Sequence, residues 1–464
     1  MSKKNNKIVI IGAGLAACFM ALNLAKRGYS VDIYESRPDV RKNPYDSGRS
    51  FNLTFYGRGV RLMQQMGIWN EVKKNGVMVE GNFVHGLEQQ TYDPQKTGIL
   101  YTVHRNVFNG TLLDIIEKMP GINIHFNTRA VAIDQKKKSI TLQKEGTQKT
   151  FSVSAEIVIG ADGIHSMVRK EIQAAVILER SDRTPSGDPI SRSSSFQDEL
   201  TYESMGYKEA HITKEQAKKL SLQLKKTHAW PREDSLLLAF PNNDGSFTLM
   251  LNFNLEGKNS LATLTSDKKV GEYLKNNFTD LAPLFPEMTK ALVENPTGRF
   301  ATLNTKPWYS GDFLVLIGDA AHACIPFYGQ GTYAAFDDIM SLCKLIDQFS
   351  TPKADWSRIF PLYQEERKKN TDILAQLSKE NFQELRDKSR SLHDLLKKKA
   401  DTLLSKFLPM VWVPPIFMSV AHGNRPYVEE LSLFKRQQKM ARYIGLDAAL
   451  QLLAFSFNVI RRNK

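Results

Sequence analysis

Two short stretches carry the first chemical signal. Gly12-Ala13-Gly14-Leu15-Ala16-Ala17 follows a run of β-branched residues and opens a helical pattern, and Glu35 ends the next apolar run. In such a turn the first glycine bends the chain and the second lets a pyrophosphate reach the backbone, with alanine allowed in third place. The helix start offers free N–H groups and a partial positive charge to phosphate. An acid at the end of the second strand can accept hydrogen bonds from a ribose. Read alone, the glycines fit any tight strand–helix turn. Strand, helix, strand and acid together point to a dinucleotide.

The second stretch is "GDAAHACIPFYGQG", residues 318–331, between the apolar run Phe313–Ile317 and a helical pattern. A plain connection needs about two to five residues. This one is longer and holds a carboxylate, a proline and two close glycines. Glycine at 329 and 331 leaves room for a ligand where a Cβ would intrude. Arg105 begins a helical pattern with Leu112 on one face, and Asp162-Gly163 follows a strand and precedes Arg169. Singly, these read as a surface cation, a common turn and a helix-cap turn. Jointly, they favour FAD over a nicotinamide dinucleotide as the resident group. His85 and His322 stand isolated in the sequence and read as packed or solvated. Nucleophile–base pairs and metal-ligand spacings are lacking.

The elements that position these residues follow from periodicity. Lys7–Ile11 and Ser30–Tyr34 read as buried strands and Leu15–Arg27 as the helix between them, ended by Gly28. Short strands and a helix at 107–118 fill 83–153, and Ala155–Gly160 is a further strand. Residues 175–200, rich in Ser, Arg, Asp and Pro, read as a loop. Strands return over 207–254, including Leu236–Phe240 and Phe247–Phe253. Thr332–Phe349 reads as a helix, and the chain is helical and Lys-rich from Trp356 to Leu408. The fold class is α/β: a Rossmann-like FAD-binding domain (1–80, 105–175 and 290–350), a β-sheet substrate domain (81–104 and 200–289) and a C-terminal helical region (355–464).

The chain has 464 residues, 42% of them hydrophobic, and a formal net charge of +14. That length implies two or three domains. The charge suits phosphorylated cofactors or anionic surfaces, but no nucleic-acid-binding motif accompanies it. Three cysteines, Cys18, Cys324 and Cys343, match no metal site and fit a reducing compartment. The basic, glycine-interrupted start is not a secretory signal, which points to a cytoplasmic protein. Residues 443–460 are mostly apolar and are followed by Arg461-Arg462. They suit an interfacial helix with a basic flank, or a helix folded onto the protein's own core.

With these motifs the chain resembles the class A flavoprotein aromatic hydroxylases of the p-hydroxybenzoate hydroxylase type, and among them the kynurenine 3-monooxygenases. The likeness spans about residues 7–390. "GRSFNL" (48–53), "GYKEAHI" (206–212), "HAWPREDSLLLAFPNNDGSFTLMLNF" (228–253) and "GDAAHACIPFYGQG" carry it. The resemblance implies an NADPH-dependent FAD monooxygenase that hydroxylates L-kynurenine to 3-hydroxykynurenine with O2, through a C4a-hydroperoxyflavin. It assigns FAD to Gly12, Gly14, Ala17, Glu35, Arg49, Arg105, Asp319, Pro326, Gly329 and Gly331. It assigns the substrate to Asn82, Tyr92, Phe240, Pro326, Phe327 and Asn381.

Two features depart from that family. Asn82 stands where its members carry an arginine for the substrate carboxylate, and Thr332-Tyr333 replaces Met-Asn after Gly331. An asparagine cannot supply the bidentate, charged pair an arginine makes. Three alternatives therefore stand beside kynurenine hydroxylation. One is the same chemistry on another aromatic or indole-derived compound lacking that carboxylate. The others are a flavin-dependent reductase and a flavin-binding protein without activity.

Overall fold

The computed structural model describes residues 7–43, 52–85, 90–91, 100–183, 196–351, 353–386, 392–445 and 449. Contacts divide the chain into two units, Met1–Ala323 with Gly331–Glu366, and Cys324–Gln330 with Arg367–Lys464.

In the first unit the β-branched run Lys7–Ile11 is the strand from which a six-stranded sheet grows. It pairs in parallel with Ser30–Tyr34 on one side and with Ile157–Gly160 on the other. Ile122–His125 extends one edge, and Leu314–Leu316 with Tyr309–Ser310 the other. Strands buried on both faces need helices on both faces. The helix Leu15–Ala25 meets this demand: nine of its eleven residues are buried, so it has no polar face. Phe19 stacks on Phe336 of the helix Gly331–Gln348, ring centroids 4.2 Å apart.

An eight-stranded sheet forms the second layer, in the order His322–Ala323, Gly298–Lys306, Gln197–Ile212, Phe247–Asn254, Ser235–Pro241, Lys226–Pro231, Gly81–Val84 and Gln90–Thr91. Alternation decides its faces. Trp230, Leu237, Ala239, Leu249 and Leu251 join a core with the helices Asp267–Asn277 and Phe285–Glu294. Leu236, Leu238 and Phe240 point the other way and are half-buried. Tyr101–His104 pairs with Asn52–Phe55 and Val77–Met78 in a separate three-stranded sheet.

One expected loop is partly a helix. Met167–Arg183 is helical, and Asp162 caps it by accepting the backbone N–H of Met167 at 2.7 Å. The helix begun at Met167 continues through the first residues of the expected loop, and residues 184–195 lie outside the described set.

The second unit holds the turn Pro326–Tyr328, the later part of the helix Trp356–Arg386, and the helices Leu392–Phe407, Ile416–His422 and Tyr427–Tyr443. No described helix is long and apolar enough to cross a membrane. Most of the apolar run 443–460 lies outside the described residues.

Candidate active site

The glycine turn is built for close approach. Gly12 has φ +98°, and a Cβ there would lie 2.6 Å from the carbonyl of Ala161. The turn thus leans on the strand end that leads into Asp162-Gly163. Gly14 caps the helix Leu15–Ala25 in an extended conformation, without a side-chain cap and without an acid in the first turn. Nothing lies within 4 Å of a Cβ built on Gly14. The backbone at this point is therefore open, as an incoming pyrophosphate requires, and the helix start keeps its positive partial charge. Ala17 is fully buried beneath it.

Glu35 holds the turn from the neighbouring strand. Its Oε2 accepts the N–H of Ala13 at 2.9 Å, and its Oε1 accepts the N–H and Nε of Arg37 at 2.8 and 3.0 Å. Burial raises the carboxyl pKa, but the Arg37 guanidinium and the N–H donors outweigh it and leave the pKa below the usual glutamate value. Asn109 braces the turn from the helix Arg105–Ile116, donating to Ala13 O at 3.0 Å. No motif or spacing signals this role.

The Gly318-Asp319 turn is locked from three sides. Gly318 has φ +57°, and a Cβ there would lie 3.1 Å from Ala335 Cβ and 3.2 Å from Ala16 Cβ. It is wedged between the two helices that flank the cradle. Arg169, 4% exposed, donates to Ala320 O at 3.2 Å and to Ile164 O at 2.7 Å, so it ties this turn to the Asp162-Gly163 turn. Asp338, fully buried, lies 2.5 Å from His322 Nε2 and 3.4 Å from Gly318 N. His322 is therefore not isolated but half of a buried pair. The signal for it was a carboxylate inside the apolar pattern of Ala334–Met340, which must find a partner.

Between these anchors Asp319 is exposed, with no side-chain partner among the described residues. Arg105, half-buried at the first position of its helix, has none either. Gly331 opens a helix without an acid in its first turn. Tyr333, one of the departures from the family, is buried and donates to Thr54 O at 2.7 Å. A side chain at Gly59 would overlap its ring, so a missing Cβ on another helix accommodates the bulk.

On the eight-stranded sheet Asn82 is exposed and accepts a hydrogen bond from Thr227 Oγ1. Asn82 pairs with Thr227, and Phe240 with Thr248, on the face turned away from the helix-backed core. Along Gly81–Val84, Lys226–Pro231, Ser235–Pro241, Phe247–Asn254 and residues 207–212, this face carries no Lys or Arg. Its ionisable side chains are Tyr207, Glu209 and His211. At the sheet edge His85 is likewise not isolated: its Nε2 lies 3.1 Å from His228 Nδ1 and its ring stacks on Trp230. Burial first, and His85 and Lys226 secondarily, push the His228 pKa down to about 4. Arg49 and Tyr92 lie outside the described residues.

In the second unit the Pro326–Tyr328 turn closes on Gly329, with φ +65° and its N–H on Pro326 O at 2.9 Å. Asn381 donates to Phe327 O at 2.8 Å, and the Phe327 ring stacks on Phe382. Gln330 is fully buried, yet neither amide atom has a partner among the described residues. Buried amides are seldom left so, and an absent polar ligand or water explains it. In the first unit, the open glycine cradle and the unpartnered Asp319 and Arg105 fit a bound FAD.

Comparisons agree. The FAD binding domain family matches residues 5–194 and 286–378. A protein named kynurenine 3-monooxygenase from Salinispora arenicola is 34% identical, covering 100% of this chain and 99% of the relative. Its namesake from Legionella pneumophila is also 34% identical, covering 94% and 93%. The solved tetrameric form of 2-methyl-3-hydroxypyridine-5-carboxylic acid oxygenase superposes with TM-score 0.63 at 19% identity, covering 83% of this chain and 94% of that one. That likeness concerns the fold. By the match to the FAD binding domain and the near full-length identity to those relatives, the chain belongs to the kynurenine 3-monooxygenase family of FAD-dependent enzymes.

Proposed function

We propose that this enzyme uses NADPH and O2 to hydroxylate L-kynurenine to 3-hydroxykynurenine on bound FAD. The observation that carries the reading is the glycine cradle with an open Gly14 and an unpartnered Asp319, in a chain one third identical to enzymes of that name. When bound, the flavin accepts hydride from the nicotinamide and delivers one oxygen atom of O2 to an aromatic carbon.

The chain's own groups bind and orient. Gly12 and Gly14 admit the pyrophosphate, above Ala17, at the start of the helix Leu15–Ala25. Glu35 would face the ribose, and Arg105, Asp319 and, by the family likeness, Arg49 would supply charged contacts to the cofactor. The N-terminus of the helix at Gly331 would offer its positive partial charge to the flavin. Pro326, Phe327 and Gly329 would contact the flavin, and Asn381 holds Phe327 in place. Phe240, on the same sheet face as Asn82, would cover the aromatic substrate and keep water out, with Tyr92 assigned to the same role by the family likeness. An amino group on that ring already activates its ortho carbon, so no protein base is needed.

One observation favours a second reading. Along Gly81–Val84, Lys226–Pro231, Ser235–Pro241, Phe247–Asn254 and residues 207–212, the sheet face bearing Asn82 and Phe240 has no Lys or Arg. A substrate lacking the amino-acid carboxylate suits that face better. Asn82→Arg separates the two. On the first reading it lowers the KM for kynurenine by about one to two decades, the value of a charge-assisted hydrogen bond, and leaves NADPH oxidation without substrate unchanged. If kynurenine stimulates no NADPH oxidation in either protein, the second reading holds. Contact of the run 443–460 with a membrane surface belongs to the proposal as well, supported by its apolar content and the arginines after it.

A further inference from the structure

We infer that Asn52 determines substrate choice: its buried carboxamide oxygen accepts a hydrogen bond from the amine on the substrate's aromatic ring. The inference rests on the hydroxylation reading above and names a group that would recognise the ring. Asn52 opens the strand Asn52–Phe55 and is 4% exposed. It sits where the three-stranded sheet meets the end of the strand Ser235–Pro241.

The nitrogen of its amide is committed. Nδ2 donates to Thr102 Oγ1 at 2.9 Å, to Asn242 Oδ1 at 2.9 Å and to Pro241 O at 3.3 Å. These acceptors fix the plane of the amide and tell its nitrogen from its oxygen. Oδ1 is thereby held in one direction, closed to solvent and without a partner among the described residues. A buried carbonyl left so is rare, and a donor enclosed with it resolves the deficit.

Its neighbours place it beside the site. Pro241 follows Phe240 directly, and Asn242 donates through Nδ2 to Thr248 Oγ1 at 3.3 Å. Thr248 pairs with Phe240 on the face that bears Asn82. On its other flank Asn52 pairs with His104, which precedes Arg105. Asn52 therefore lies between the face given to the substrate and the strand end given to the cofactor. Chemistry selects the donor. A neutral carbonyl suits a neutral N–H, and the amine of an aminophenyl ketone is neutral because its electron pair is shared with the ring. Accepting one N–H leaves that pair in the ring and fixes the edge on which the activated ortho carbon lies. Asn252, on the same face, also has a buried oxygen without a partner among the described residues. Its Nδ2 donates to Leu236 O at 2.7 Å, toward the end of the strand away from Phe240.

Ligand binding to the oxidised flavoprotein tests this, read from the shift in flavin absorbance with no nicotinamide present. Two probes are compared: L-kynurenine and its analogue with hydrogen in place of the ring amine. The parent is expected to bind kynurenine about tenfold more tightly or better, the worth of one enclosed hydrogen bond. Asn52→Leu should bring the two within about twofold by weakening kynurenine alone, and should leave FAD retention in equilibrium dialysis unchanged. Asn52→Ser, too short to reach the amine but polar toward Asn242, should do the same and covers the case in which the leucine variant fails to fold. Equal binding of both probes by the parent overturns the inference, as does a preference that survives in both variants. Weaker FAD retention in both variants with the preference intact overturns it too, and assigns the oxygen to a flavin N–H. Loss of the preference in Asn252→Leu but not in the Asn52 variants overturns it by moving the acceptor along the sheet. A parent that binds neither probe contradicts the kynurenine reading itself, and this inference falls with it.

Discussion

At the scale of single residues, the site combines groups fixed on every side with groups left free. Gly12 is fixed: its positive φ and the 2.6 Å approach to Ala161 O leave no room for a side chain. Gly12→Ala should destabilise the fold by about 1–3 kcal/mol or more, read as a drop in melting temperature, and should lose the flavin. Asp319 is free, so Asp319→Ala should leave the melting temperature of the flavin-free protein unchanged. It should weaken FAD binding by about 1–3 kcal/mol, roughly five- to 150-fold, by equilibrium dialysis. Equal flavin content in variant and parent would make Asp319 a turn residue only. The buried pair behaves differently again. His322→Leu leaves the Asp338 carboxylate buried without its histidine partner, which should cost about 3–5 kcal/mol in urea unfolding, and His322→Leu/Asp338→Leu should recover part of that loss. Glycines and Asp319 could be recognised in the sequence because their chemistry is local. Asn109 and Arg169 could not, because each acts on a carbonyl brought near only by folding.

At the scale of elements, the strand–helix–strand unit of residues 7–34 was legible nearly to the residue, since four successive buried positions and an apolar helix leave few alternatives. The helix Met167–Arg183 was not, because its cap, Asp162, lies five residues ahead of Met167. Tyr333 looked anomalous until Gly59 was placed opposite it, a pairing between elements 274 positions apart that spacing alone cannot reveal. The eight-stranded sheet makes a pH prediction at its edge. The unfolded chain takes up a proton at His228 as the pH falls through about 6.5, whereas the folded chain declines it until about 4. Stability is therefore full above that upper value and falls toward the lower one, by about 3 kcal/mol in all. His85, whose pKa burial also lowers, acts in the same direction. Urea unfolding at about pH 7 and pH 5 should show the loss, and His228→Phe should flatten the difference. An equally steep dependence in that variant would place the titration elsewhere.

At the scale of the whole molecule, cofactor and family were legible because glycine turns, acid and spacing are set by the shape of FAD. The substrate is harder to read, since it is chosen by side chains that converge from distant parts of the chain. Asn82 marks the difficulty: its strand is where the sequence put it, but its carbonyl is spent on Thr227 and no Lys or Arg shares its face on the strands Gly81–Val84, Lys226–Pro231, Ser235–Pro241 and Phe247–Asn254. The purified protein should be yellow, and NADPH should bleach it without oxygen. The central claim is oxygen transfer to kynurenine, and one measurement tests it most directly. The enzyme is incubated with NADPH, L-kynurenine and isotope-labelled dioxygen, and the product is analysed by mass spectrometry. The account predicts 3-hydroxykynurenine carrying one labelled oxygen atom, formed in proportion to NADPH consumed. Kynurenine recovered unchanged while NADPH is oxidised, with all the label in hydrogen peroxide, would contradict it.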